Sequence, residues 1–319
     1  MNIKKAFCIL TSALILAGAL SGCGNGPEHE KIRVAVINGP SGIGMAQLLD
    51  MPEKYDVSVY QSPDEVAGKV VSGEVDIAAV PVNMGAVLYN RTEGQVVAVS
   101  PLTKGMLFIV QNGGEKITAI DDLTGKEILA AAKGSTLEFI LQKLFTEHGL
   151  SSAMENVSWM ANHADVSSTL LSGENTIAML PEPFVTVVKN KGANVEIALD
   201  LNDEWLKATG GALTMTVLIA QRKFAEEKPD DLAAFLSDYK ASVDFVNSGT
   251  EEAAALVSEK GFIADLDTAK DAIPRCNIVF YEDPEESKTI LSDFYSVLFE
   301  IDPKSVGGAL PDEEFYYSQ

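Results

Sequence analysis

Apolar and polar positions follow two rhythms along the chain. Residues 32–37 are a β-branched run, and Asn38-Gly39-Pro40-Ser41-Gly42-Ile43-Gly44 leads from it into the apolar segment 45–49. That order predicts a strand, a tight turn and a helix start. Residues 56–60 and 75–80 read as further strands, with helical spacing over 63–72 between them and over 83–90 afterwards. After the apolar runs 96–99 and 106–110 the pattern restarts. Residues 127–132 predict a strand, Lys133-Gly134-Ser135-Thr136 a turn, and 137–148 a helix closed by Gly149. Strands alternating with helices predict an α/β fold of two similar units, with mainly parallel sheets and helices on both faces. Segments 232–246 and 290–299 carry apolar stripes at helical spacing and read as core helices.

A repeat at an offset of 100 residues organises this pattern. Residues 72–90 read SGEVDIAAVPVNMGAVLYN and residues 172–190 read SGENTIAMLPEPFVTVVKN, with eight identities in 19 ungapped positions. The matches include Ser72/Ser172, Gly73/Gly173, Pro81/Pro181 and Asn90/Asn190. Each copy predicts a helix end, a glycine turn, a short buried strand and a proline that stops it. In open α/β sheets ligands sit beyond the carboxyl ends of the strands. Two such edges facing each other would enclose a ligand between them.

Charge then removes one class of function. Across 319 residues, 24 basic against 46 acidic side chains leave −22, a field that repels phosphate backbones and excludes a general nucleic-acid binder. Lys4 and Lys5 precede an apolar stretch over 6–20. That is shorter than the roughly 20 residues a spanning helix needs, so it reads as a secretory signal. It ends in Leu20-Ser21-Gly22-Cys23, which resembles the lipobox of bacterial lipoproteins. The resemblance implies a signal peptide over 1–22, acyl chains of the palmitate type on Cys23, and a polar tether over 23–30. With Cys8 in the signal and Cys23 lipidated, Cys276 has no disulfide partner and reads as a small buried hydrophobe.

The lipobox, the 38–44 turn, the run SGEVDIAAVPVN, the run IAMLPEPFVTVVKNKG and the tail PKSVGGALP together resemble the solute-binding lipoproteins of ABC importers. The branch is the one for nitrate, sulfonate, bicarbonate, taurine and thiamine-precursor pyrimidines. The resemblance implies a type II periplasmic-binding fold: lobe one over 31–110 plus 218–319, lobe two over 113–215, and crossing strands at 106–111 and 215–220. It also implies a monomer, lipid-anchored outside the cell membrane, that captures a small polar solute and hands it to a permease served by a separate ATPase. No cofactor is implied.

In that layout several residues become candidates for the solute. Ser41 and Gly42 open a helix whose backbone N–H groups would meet a polar or anionic group, or else form a plain cap. Ser135 and Thr136 are their counterparts in lobe two, and each helix start would contribute about 0.3–1 kcal/mol towards holding a negative group. Asn83, after Pro81, either caps a helix or meets the solute. Glu182, between Pro181 and Pro183, is either a helix-dipole partner or a contact that prefers N–H donors such as an amine. Lys104 and Lys133 are either solvated charges or anion contacts. His163, in Trp159-Met160-Ala161-Asn162-His163-Ala164-Asp165, is either a cleft contact or an exposed loop residue.

Catalytic patterns do not emerge. Gly39-Pro40-Ser41-Gly42-Ile43 lacks the last glycine of a nucleophile elbow, and Lys133-Gly134-Ser135-Thr136 scrambles the phosphate-loop order. The histidines at 29, 148 and 163 have no zinc-ligand spacing. Two alternatives stay open: a ligand sensor that presents its closed form to a signalling partner, and a pyrimidine-precursor enzyme on the same fold.

Overall fold

The computed structural model describes residues 30–318, so the segment 1–22, Cys23 and nearly all of the 23–30 tether lie outside it. β1 (Ile32–Ile37) runs into α1 (Pro40–Ile43), a single turn with proline at its start and Gly39 before it. A 3-10 turn, Ala46–Asp50, follows. The segment 45–49, read as a helix start, is therefore a 3-10 turn, and the predicted turn over 38–44 holds a helical turn of its own. Gly44 separates them, where a Cβ would come within 3.0 Å of Ile278 and 3.2 Å of the Tyr239 hydroxyl. β2 (Tyr55–Tyr60) leads to α2 (Pro63–Val71), which starts at a reciprocal capping box between Ser62 and Glu65. β3 (Ile77–Pro81) ends in proline and gives way at once to α3 (Val82–Arg91), and β4 (Val96–Lys104) follows.

The second half begins at β5 (Leu107–Asn112), then β6 (Ile128–Ala131) and α4 (Thr136–Glu147), whose first turn is capped by Ser135. β7 (Val157–Met160), α5 (His163–Ser172), β8 (Thr176–Pro181), α6 (Phe184–Lys191) and β9 (Val195–Asp200) continue the alternation. α7 (Leu201–Thr209) ends at Gly210, whose left-handed φ of 73° favours glycine, and the chain returns through β10 (Thr214–Gln221). Helices α8 (Arg222–Glu227), α9 (Pro229–Asn247), α10 (Glu251–Glu259), α11 (Leu266–Ala272) and α12 (Pro284–Ile301) complete it.

The strands form two five-stranded sheets, ordered β2-β1-β3-β10-β4 and β7-β6-β8-β5-β9. In each, four strands run the same way and one, β10 or β5, runs against them. The repeated segments supply the two central strands, β3 and β8. Their turns differ. The left-handed position is Gly73 (φ 71°) in the first copy but Asn175 (φ 58°) in the second, two residues beyond Gly173.

One hydrophobic core covers the outer face of the first sheet beneath α9, α10 and α11, and another lies between the second sheet and α5 and α6. The third and largest runs without a break from the first sheet to the second through Met106, Leu213, Met215 and Trp205. Trp205 of α7 meets Phe294 of α12 with ring centroids 5.2 Å apart. Apolar burial thus links the halves along one side of the seam.

The chain passes between sheets twice, at Gly105-Met106 and between Gly210 and β10. β5 lies wholly in the second sheet and β10 wholly in the first, so the predicted crossing strands 106–111 and 215–220 are sheet members and the crossings themselves are the short links before them. Gly105 packs against the first turn of α7. A Cβ built on it would fall 2.5 Å from the Asn202 Cβ, a collision no rotamer of Asn202 relieves. Gly105→Ala is expected to lower stability by about 1–3 kcal/mol through overpacking. In urea titrations, adding Asn202→Gly should restore most of that loss; a strictly additive double variant would place the strain elsewhere.

Candidate functional site

The reversed strands fix which edges face each other. β5 enters the second sheet beside the end of β8, with Leu107 opposite Pro181, and β10 enters the first beside the end of β3, with Thr216 opposite Pro81. The amide of Glu182 donates to the Met106 carbonyl at 2.9 Å, tying the second proline edge to the first crossing. Both proline-terminated edges therefore border the crossings and meet across the seam.

Two polar contacts bridge that seam. Asn83, in the first turn of α3, accepts a hydrogen bond on Oδ1 from the Thr136 hydroxyl in the first turn of α4, at 2.9 Å. Both side chains are buried, and the Asn83 amide also reaches the Ser305 carbonyl in the tail at 3.5 Å. The second bridge is ionic. Glu182 has a fully buried side chain and receives Nε of Arg275 at 2.6 Å, while Arg275 is 34% exposed. The Thr186 hydroxyl and amide donate to the other carboxylate oxygen at 2.8 and 3.1 Å, and Nη2 of Arg275 donates to the Thr186 hydroxyl oxygen. A buried carboxylate is tolerable only when its charge and lone pairs are met this fully. The N–H donor that Glu182 was expected to prefer is thus supplied by the chain itself.

The other sequence candidates fall into three groups. Ser41 and Gly42 are buried in α1, and the space over Gly42 is taken by Phe262 and the Ile37 carbonyl, so glycine is demanded there by packing. Ser135 is spent locally: its hydroxyl donates to the Ala132 carbonyl at 2.6 Å and accepts from the Leu137 amide. Lys104 and Lys133 have exposed side chains, and Lys104 joins the site only through its amide, which donates to the Asn277 carbonyl at 2.9 Å. His163 opens α5 and lies against Phe184, with centroids 5.3 Å apart, and its Nδ1 is buried with no hydrogen-bond partner among the described residues. Burial lowers its pKa to about 4, so the ring is neutral at ordinary pH.

Sequence reasoning passed over Arg275, Thr186 and Asn277. The run Ile273-Pro274-Arg275-Cys276-Asn277 was read for its cysteine, which is indeed buried and has its thiol pushed up by desolvation. The available signal was the arginine itself: a cation between apolar neighbours needs an anion, though nothing local says which. Asn277 takes a left-handed φ of 47° and donates its side-chain amide to the Gly105 carbonyl at the crossing. Among the described residues no cluster of His, Cys, Asp or Glu is arranged to hold a metal ion, and no helix is long and apolar enough to cross a membrane.

Two mixed α/β sheets joined by paired crossings, with facing strand ends, define the periplasmic-binding fold. Residues 45–269 match the family described as the phosphonate periplasmic substrate-binding protein of ABC transporters, and the chain belongs to that family. An ABC transporter structure from Parabacteroides distasonis superposes with a TM-score of 0.75 at 25% identity, over 91% of this chain and 99% of that one. The periplasmic aliphatic sulphonate-binding protein SsuA from Escherichia coli does so at 0.71 and 18% identity, over 88% and 96%. The alkanesulfonate-binding SsuA from Xanthomonas axonopodis pv. citri, bound to MOPS, gives 0.67 at 12% identity, over 91% and 96%. No curated protein matches the sequence. The chain is the extracytoplasmic solute-binding component of an ABC import system, taking a small molecule between its lobes for delivery to a permease. The family and these neighbours are transporter binding proteins.

His163 generates a pH dependence. The unfolded ring takes up a proton near 6.5, whereas the folded ring resists protonation down to about 4. The stability it contributes is complete above pH 6.5 and is lost as the pH falls towards 4, by up to about 3 kcal/mol. Urea unfolding at pH 7 and 4.5 should show a smaller difference for His163→Phe than for the unaltered chain; equal differences would mean that the ring titrates normally.

Proposed function

We propose that the solute is a small organic oxyanion of the sulfonate or phosphonate type, captured and released without chemical change. The observation that carries this reading is the seam, where the helix starts bearing Asn83 and Thr136 meet between two proline-terminated edges. Helix starts aim backbone N–H groups at a ligand and favour negative charge. The family's description as phosphonate-binding and the sulfonate-binding neighbours support the same class. In this reading Asn83, Thr136 and His163 border the cleft, Glu182 stands behind Arg275 at its edge, and the packed turns of Ser41, Gly42 and Ser135 support it without touching the solute. Lys104 and Lys133 at its rim offset, for an approaching anion, part of the acidic surface. The lobes divide at the two crossings, Gly105-Met106 and the link between Gly210 and β10, and closure is a hinge motion about those links.

We further propose that the chain works as a monomer held to the membrane by lipid on Cys23 after removal of 1–22. A single acyl chain anchors weakly, so durable attachment requires several.

Two measurements test these readings. Saturating ethanesulfonate or ethylphosphonate, at about 100 times the dissociation constant, should add roughly 2.7 kcal/mol of stability. That is a rise of several degrees in Tm. A rise with pyrimidines or amino acids and none with either oxyanion would overturn the assignment. Separately, Cys23→Ala expressed in a lipoprotein-processing host should move from the membrane pellet to the soluble fraction and cease to incorporate labelled palmitate. Continued sedimentation with membranes would sink the lipid anchor.

A further inference from the structure

Arg275 holds two bonding surfaces in different states. A guanidinium carries five N–H donors in one plane. Its Nε edge is spent on the chain: Nε binds Glu182 and Nη2 binds the Thr186 hydroxyl. The two N–H groups of Nη1 have no partner among the described residues, and with the second N–H of Nη2 they form the outer fork of the group. The Glu182 side chain is fully buried while Arg275 is 34% exposed. The edge bound to Glu182 and Thr186 is satisfied and the fork is left over.

The fork is held rigidly. Glu182 accepts bonds on both oxygens, so it cannot turn away from Arg275 without losing them. The backbone beyond is fixed by buried Cys276 and by Asn277, whose carbonyl and side-chain amide bind the residues of the first crossing. A planar fork fixed at the seam matches two oxygens of a tetrahedral or planar oxyanion better than a flexible ammonium does. Its charge is also partly offset: Glu182 contributes one negative charge against it, His163 is neutral at ordinary pH, and Lys104 and Lys133 are exposed.

We infer that Arg275, oriented by Glu182 and Thr186, is the specificity-determining residue that receives the oxyanion head of the solute through its outer fork, and that the Glu182 charge tunes the site towards heads with a single negative charge. The inference rests on the oxyanion reading of the cleft and adds to it a receiving residue and a charge preference. A sulfonate carries one negative charge at all ordinary pH values, whereas an alkylphosphonate, whose second proton comes off near pH 8, carries close to two at about pH 9. The solute's head charge is therefore read by a protein ion pair rather than by helix starts alone.

The test is calorimetric titration of the full chain at about pH 9 with ethanesulfonate and with ethylphosphonate. The unaltered chain should bind ethanesulfonate more tightly. Arg275→Lys keeps the charge but loses the fork, and should weaken ethanesulfonate binding about 10- to 100-fold. Glu182→Gln keeps the shape and removes the opposing charge, and should shift preference towards ethylphosphonate about tenfold. This second variant decides the matter if Arg275→Lys does not fold, and a structural role for the pair would not move that ratio. Binding of ethanesulfonate by Arg275→Lys at undiminished affinity, or an unchanged ratio in Glu182→Gln, overturns the inference while leaving the oxyanion reading intact. An unaltered chain that binds neither probe overturns both.

Discussion

Each sheet is completed by a strand that arrives from the other sheet and runs against its neighbours. That one constraint determines the rest. A strand entering antiparallel begins beside the carboxyl ends of the strands it joins, so β5 starts next to Pro181 and β10 next to Pro81. The links before them are only a few residues long, and short links cannot hold the two carboxyl edges far apart. Strand ends and helix starts of both halves are thereby gathered along one seam, where α/β sheets bind ligands.

The seam is divided in chemistry. On one side the core is continuous from sheet to sheet, with Trp205 against Phe294, and apolar contact of this kind has no preferred partner charge. Elsewhere along it the halves meet through Asn83 with Thr136 and through Glu182 with Arg275. Polar bridges are directional and expensive to leave unmade, so they hold a defined geometry where burial alone would tolerate sliding. A two-lobed site draws on both: apolar contact that keeps the halves together, and polar groups that fix how they meet.

The same division explains how the edges of the sheets are protected. The outer edge of β4 is not free: Lys104 and Leu102 bond with Asn277 and Val279, and Tyr317 donates to the Ala98 carbonyl. Segments from the end of the chain therefore close the edge of a sheet built mainly at its beginning, and the same run, 275–277, delivers the arginine and the asparagine to the seam. Edge protection and site construction are one feature of the fold.

By itself the sequence determined the local elements and their duplication. Period-two and helical spacing are short-range signals, and Pro81 and Pro181 stop their strands by lacking a backbone donor wherever they stand. The family resemblance extended this to a two-lobed solute binder. Even locally it misjudged positions that packing decides, such as the segment 45–49, a 3-10 turn that follows Gly44 packed under Tyr239, and the second repeat turn, carried by Asn175 in place of Gly173. Only the tertiary structure decided that Glu182 would meet Arg275, 93 residues along the chain, or that Asn83 would meet Thr136. No periodicity encodes such pairs. A buried charge announces that it needs a partner, but which one it finds depends on how two sheets, each completed by the other's strand, bring distant residues to one seam.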